Sequence, residues 1–137
     1  MDNLKGSCLC GEISYRLDSK ILNVVNCHCD FCRSHSGAAF STYAALPHAS
    51  LQITRGEESL ASFEAGEGKK HFCRICGTPI FNLNKKYPGA CMIYLGTLQG
   101  AKDIRPRVNV WCENQWEWVG SLSSIRSLPQ GIETRRG

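Results

Sequence analysis

Short runs of alternating polar and apolar residues dominate the chain. Glu12-Ile13-Ser14-Tyr15-Arg16-Leu17 puts an apolar side chain at every second position, the period of a strand with one buried face. Asp18-Ser19-Lys20 follows as a turn, and Ile21 to Val25 continues in extended form. The run from Ala38 to Leu46 (AAFSTYAAL) has the apolar density of a buried strand and stops at Pro47. Leu51 to Arg55, Leu60 to Glu64, Lys69 to Phe72, Ile80 to Leu83 and Cys91 to Leu95 add further strands, the last a central one. Between them lie glycine-rich breaks such as Ala65-Gly66-Glu67-Gly68. Arg107 to Trp111 and Gln115 to Trp118 read as a closing hairpin. A helical period is nearly absent, and only Arg33 to Gly37 has room for a turn or two, ending at the glycine. The pattern therefore predicts a mainly β domain over residues 1–120, with a polar C-terminal tail over 121–137 in which Leu122, Ile125 and Leu128 are the docking candidates.

Composition changes this picture at one point. A chain of 137 residues with 42% hydrophobic and 20% charged residues is ordinary for one globular domain, but nine cysteines are not. The first residues, Met1 to Gly6, lack the apolar run of a signal peptide, and no segment is long enough to span a membrane, so a cytoplasmic setting is expected. In a reducing compartment, CxC and CxxC spacings point to metal rather than disulfides, and an odd count cannot pair completely. The net charge of +4 is scattered. The doublets Lys69-Lys70, Lys85-Lys86 and Arg135-Arg136 are too short for a nucleic-acid stripe and read as solvated surface, so neither nucleic acid nor membrane is expected as a partner.

Two thiol sets emerge. Cys8 and Cys10 (CxC) with Cys73 and Cys76 (CxxC, then Gly77) supply four thiolates, enough for a closed tetrahedral zinc site that would staple the long loop between Cys10 and Cys73. Cys27-His28-Cys29-Asp30-Phe31-Cys32 supplies three. An extended entry places Cys27 and Cys29 on one side of the backbone, and the two-residue step to Cys32 suits a tight turn or a first helical turn. Three protein ligands leave a fourth position open, as in working rather than structural zinc sites. Three thiolates make zinc a poor activator of water, but suit it to accepting a substrate sulfur and holding it deprotonated. The competing readings of this trio are a second structural zinc with another ligand, or a Cys27–Cys32 redox pair. His35, a turn beyond the trio, is the candidate proton shuttle. His28 is read as exposed or supporting, His71 as packed on a strand and His48 as solvated. Cys91 and Cys112 read as small buried hydrophobes, and Trp111, Trp116 and Trp118 as core and lid.

Taken together, GSCLCGEISY, CHCDFCRSHSGAAF, HFCRICGTPIF and RPRVNVWCENQWEWV resemble the glutathione-dependent formaldehyde-activating enzyme family, which also includes centromere protein V. The resemblance covers about residues 5 to 120. It implies a β-tent fold of small antiparallel sheets, a structural zinc on Cys8, Cys10, Cys73 and Cys76, and a catalytic zinc on Cys27, Cys29 and Cys32. It further implies a carbon–sulfur lyase or synthase acting on a thiol–aldehyde adduct such as S-hydroxymethyl glutathione, with a small thiol, glutathione for instance, as partner. Asn109 departs from the pattern, standing where relatives often carry a histidine. Arg33 and the lysine doublets are candidates for the carboxylates of such a thiol. Two rival functions are a zinc-scaffolded binding module without catalysis, and a methionine sulfoxide reductase with Cys112 as nucleophile.

Overall fold

A computed structural model describes residues 4–133. Ten strands form two sheets. Strands β1 (Leu4–Ser7), β2 (Ser14–Leu17) and β5 (Leu51–Arg55) make a three-stranded antiparallel sheet in the order β1-β2-β5. The other seven are β3 (Asn23–Cys27), β4 (Ser41–Pro47), β6 (Leu60–Ala65), β7 (Gly68–Cys73), β8 (Pro79–Asn84), β9 (Ala90–Tyr94) and β10 (Val108–Val110). They form a sheet ordered β10-β3-β4-β9-β8-β7-β6. One α-helix, α1 (Asp30–Ser36), and several 3₁₀ turns complete the described chain, the mainly β architecture with little helix that the alternating runs predict.

The middle strands of the large sheet are covered on both sides, while β6 and β10 at its ends are exposed, and strand alternation decides which residue faces which. The registered pairs Ala44↔Ile93 and Leu46↔Cys91 turn toward the small sheet, where they join Ile13, Tyr15, Leu17 and Ile80 in the main core. The intervening pairs Tyr43↔Tyr94 and Ala45↔Met92 face the other way, toward α1 and a second apolar cluster containing Cys27 and Cys32. Tyr15 links the layers, its hydroxyl bonded to Thr97 Oγ1 at 2.7 Å. Gly6 must be glycine, because a Cβ there would strike the Tyr15 ring and the Thr97 carbonyl.

Where the expected closing hairpin should lie, the chain does something else. Val108–Val110 pairs parallel to β3, with Val110 opposite Cys27, and the segment from Glu117 to Ser124 is 3₁₀ rather than strand. Trp111, with φ +59°, turns the backbone away before a return strand can start. Leu122 and Ile125 are exposed, so the tail does not dock through them, whereas Leu128 is half-buried. Residues 134–137 of the expected tail lie outside the described chain.

Candidate functional site

The four-thiol set comes together as its spacing predicts. Cys8, Cys10, Cys73 and Cys76 hold their Sγ atoms within 4.8 Å of one another. Cys8 and Cys10 sit 3.6 Å apart, and Cys10 reaches Cys73 at 3.9 Å. Backbone N–H groups point at the sulfurs: Ile13 N donates to Cys8 Sγ (3.2 Å) and Ile75 N to Cys73 Sγ (3.4 Å). Cys76 lies 3.1 Å from the Thr78 hydroxyl, which with the Thr78 backbone brings its thiol down to about 5. Such donors stabilise thiolates, so the set fits one thiophilic divalent ion.

The three-thiol set is built differently. Cys27 ends β3, and Cys29 serves as the N-cap of α1, its sulfur accepting from Cys32 N at 3.2 Å. Cys32 sits in the first turn, 3.4 Å from Cys27, and all three Sγ atoms lie within 4.8 Å of one another. A helix of seven residues would not hold alone. Gly37 closes it in the left-handed conformation (φ +76°), with its N–H on the Arg33 carbonyl. Arg33 ties it to the C-terminal region, donating to the carbonyls of His28 and Asn114, pairing with Asp30, and lying 5.0 Å from the Trp116 ring centroid. That guanidinium is therefore engaged internally and does not line the cavity beside the trio, contrary to its expected role with a substrate carboxylate.

The trio opens into a cavity of about 430 Å³, within the range of small-molecule sites. A surface groove of about 620 Å³ near Lys20 and Arg105 is larger, but it gathers no ligating set. One registered row across the sheet, Lys70↔Asn82↔Met92↔Ala45↔Asn23, runs along the cavity, every member lining it. Val110, Phe31 and Trp111 also contribute to its lining. No carboxylate lines it among the described residues. Neither His, Cys, Asp nor Glu joins the trio as a fourth ligand among the described residues.

The Tyr43 hydroxyl and the Lys70 ammonium lie against Cys32, the first unnoticed in the sequence and the second offered there only as half of a doublet. Tyr43 donates to Cys32 Sγ at 3.1 Å, and Lys70 Nζ lies 3.3 Å from Tyr43 Oη and 3.8 Å from Cys32 Sγ. The Cys27 thiol, the Tyr43 hydroxyl and the charge of Lys70 draw Cys32 down to about 5 against the opposing effect of burial. Its neighbour Cys27 is driven up by sharing that hydrogen bond and by burial. Burial, the Tyr94 hydroxyl and Cys32 push Tyr43 up as well. Lys70 corrects the solvated-doublet reading: it is only 4% exposed, because β7 belongs to a sheet covered on both faces.

His35 does not line the cavity. Its Nδ1 lies 3.3 Å from the Tyr94 hydroxyl, whose ring stands edge-on to Tyr43 at 4.9 Å. Burial and the nearby Lys70 lower its pKa. His28 is buried, not exposed; its Nε2 lies 3.3 Å from Asn109 Oδ1, which fixes the proton on that nitrogen and leaves Nδ1 without a partner. His71 stacks on Phe81 (4.1 Å, 7°) and His48 is exposed, as read. Cys91 is fully buried, but Cys112 is exposed, its sulfur turned to the Asn109 carbonyl. The three tryptophans are about half-exposed rather than core.

Comparison with known proteins bears on this site directly. Residues 3–114 match the model of the family described as "Glutathione-dependent formaldehyde-activating enzyme". A Halomonas elongata protein provisionally named as such an enzyme is 25% identical over 124 residues, spanning 85% of this chain and 79% of its own. A Rhodobacter sphaeroides crystal structure superposes with a TM-score of 0.63 at 25% identity, over 77% of this chain and 97% of that one.

Proposed function

Because the chain belongs to the glutathione-dependent formaldehyde-activating enzyme family, we propose that it makes or breaks the carbon–sulfur bond of a thiol–aldehyde adduct such as S-hydroxymethyl glutathione. The observation that carries this reading is a three-thiol cluster that lines a cavity and has no fourth His, Cys, Asp or Glu ligand among the described residues, across the large sheet from a four-thiol cluster. We assign zinc to both: a structural ion on Cys8, Cys10, Cys73 and Cys76, and a catalytic ion on Cys27, Cys29 and Cys32. Bound to the trio, zinc would supply a fourth coordination position for a substrate sulfur and keep it deprotonated.

The chain's own residues do the rest. Val25, Met92, Val110 and Phe31 shield the reacting atoms from water, which would otherwise compete with the thiol. In the forming direction the substrate thiolate attacks the aldehyde carbon. In the cleaving direction the hydroxymethyl proton leaves, the carbonyl forms and the sulfur departs with the bonding pair. His35 exchanges that proton with solvent through the Tyr94 and Tyr43 hydroxyls, which lie between it and Cys32. Nothing in the geometry favours the sulfoxide reductase reading, since Cys112 lies outside the cavity lining.

The test is metal analysis of wild type and Cys29→Ser, with cobalt-substituted spectra recorded as glutathione is titrated and formaldehyde added. Two metals in wild type, one in the variant, and a thiol-sensitive band lost with that second metal support the reading. A thiol-insensitive spectrum together with no adduct formation would sink it in favour of a binding module.

A further inference from the structure

Among the described residues, Lys70 is the one cation lining the cavity. Burying an ammonium costs several kcal/mol unless something replaces its water, and the usual replacement, a carboxylate, is missing from this lining. With the Asn82 amide oriented to satisfy its neighbours, Oδ1 accepts from Lys70 Nζ at 2.9 Å and lies 3.0 Å from the Tyr43 hydroxyl, while its nitrogen donates to the Phe81 carbonyl. The Phe31 ring centroid is 4.8 Å away. Two of the three ammonium N–H groups are thus committed to the neutral oxygens of Asn82 and Tyr43. For the third there is only Cys32 Sγ, at 3.8 Å the outer reach of a bond to sulfur. The single Tyr43 hydroxyl proton is shared between Cys32 Sγ at 3.1 Å and Asn82 Oδ1 at 3.0 Å. The cation is held rigidly beside the trio by groups that leave one strong donor uncommitted.

We infer that Lys70, braced by Tyr43 and Asn82, forms an oxyanion subsite that receives the aldehyde oxygen while the aldehyde carbon meets the substrate sulfur; this rests on the thiol–aldehyde reading above. As the sulfur lone pair forms the new carbon–sulfur bond, the carbonyl π pair moves onto oxygen. That oxygen develops negative charge next to a preorganised N–H donor in a site sheltered from water, where such a donor acts most strongly. The proton that left the thiol ends on this oxygen, giving the hydroxymethyl group, and Lys70 stays an ammonium throughout. With the sulfur and oxygen both anchored, the carbon between them must be small and unhindered, which suits a one-carbon aldehyde.

Formate mimics the aldehyde with its oxygen already charged and serves as the probe. Zinc-loaded wild type, Lys70→Met and Tyr43→Phe are compared for metal content, formate binding by calorimetry, and kcat with formaldehyde at saturating thiol. Lys70→Met should keep two metals per chain, lose formate binding, and lower kcat about 10²- to 10³-fold, the usual effect of deleting one oxyanion donor. Release of the trio's metal by Lys70→Met, or formate binding equal to wild type, would overturn the subsite and leave Lys70 as a counter-charge for the thiolates. If Lys70→Met fails to fold, Tyr43→Phe decides through formate rather than kcat: weaker formate binding at full metal content supports the brace, and unchanged formate binding overturns it. If wild type turns over no thiol–aldehyde pair, the wider reading fails on its own. Formate binding abolished by Lys70→Met would still uphold an oxyanion subsite in that case, and its absence in both proteins would overturn it.

Discussion

The two thiol clusters occupy regions of opposite character. Cys8 and Cys73 sit in the main core between the sheets with their sulfurs facing backbone N–H groups, while the half-buried Cys76 faces Thr78. Cys27 and Cys32 lie across the large sheet, where their neighbours are Tyr43, Tyr94 and Lys70 and their outlook is a cavity. Four thiols joined across some sixty residues brace a fold, whereas three within one short stretch leave room for a visitor. On the function proposed above, the same thiol chemistry would serve stability on one face and reactivity on the other.

Removing one ligand from each cluster tests that division most severely. Cys73→Ser should cost on the order of 10 kcal/mol of metal-linked folding free energy, as much as a whole domain's stability. Circular dichroism of the purified variant should show no cooperative unfolding transition. Cys29→Ser should leave melting within about 5 °C of wild type, since serine also caps a helix, yet abolish adduct turnover. Comparable loss of fold in both variants would erase the distinction.

Both faces should respond to alkali, since Cys27 and Tyr43 on the cavity face are raised too, but the core-face share can be removed by itself. Burial pushes the Cys91 thiol up from 9.0 to about 12. A group whose folded pKa lies above its unfolded one contributes stability that is complete below the unfolded value and lost as pH rises toward the folded one. Denaturant midpoints should therefore decline between about pH 9 and 12, where Tyr15, also raised to about 12 by burial, adds its share. Cys91→Val should flatten the early part of that decline, and an unaltered curve would remove Cys91 from the account.

The smallest effect belongs to Trp111. A bulky residue at φ +59° stores about 1–3 kcal/mol, offset by the packing of a half-exposed ring. Trp111→Gly should shift the melting temperature by no more than a few degrees in either direction, while raising KM for the thiol because the ring lines the cavity. A fall in stability without any change in KM would make the residue a structural brace only.

Both ligand sets were legible in the sequence because CxC, CxxC and the CHCDFC run are local spacings. Each strand except β1 was legible too, from alternation bounded by glycine and proline, and β10 was legible as a strand though not in its pairing. Lys70, Tyr43, Asn82 and Tyr94 were not. They belong to four different strands, and only the strand order β4-β9-β8-β7 brings them to one face. Lys70 was further disguised by Lys69 beside it, because alternation reads a polar position as solvent-facing and fails where a sheet is covered twice. The parallel pairing of β10 was hidden as well: a three-residue strand joined to a partner over eighty positions away carries no local signal.

That late strand also sets an order of assembly. During synthesis Cys27, Cys29 and Cys32 leave the ribosome together, ready to seize an ion, about 81 residues ahead of the segment that walls them in. Until Val110 settles beside Cys27 and Arg33 finds the Asn114 carbonyl, the nascent trio stands unroofed. An ion destined for the trio would therefore enter most easily on the unfinished polypeptide, and the finished wall would slow its escape.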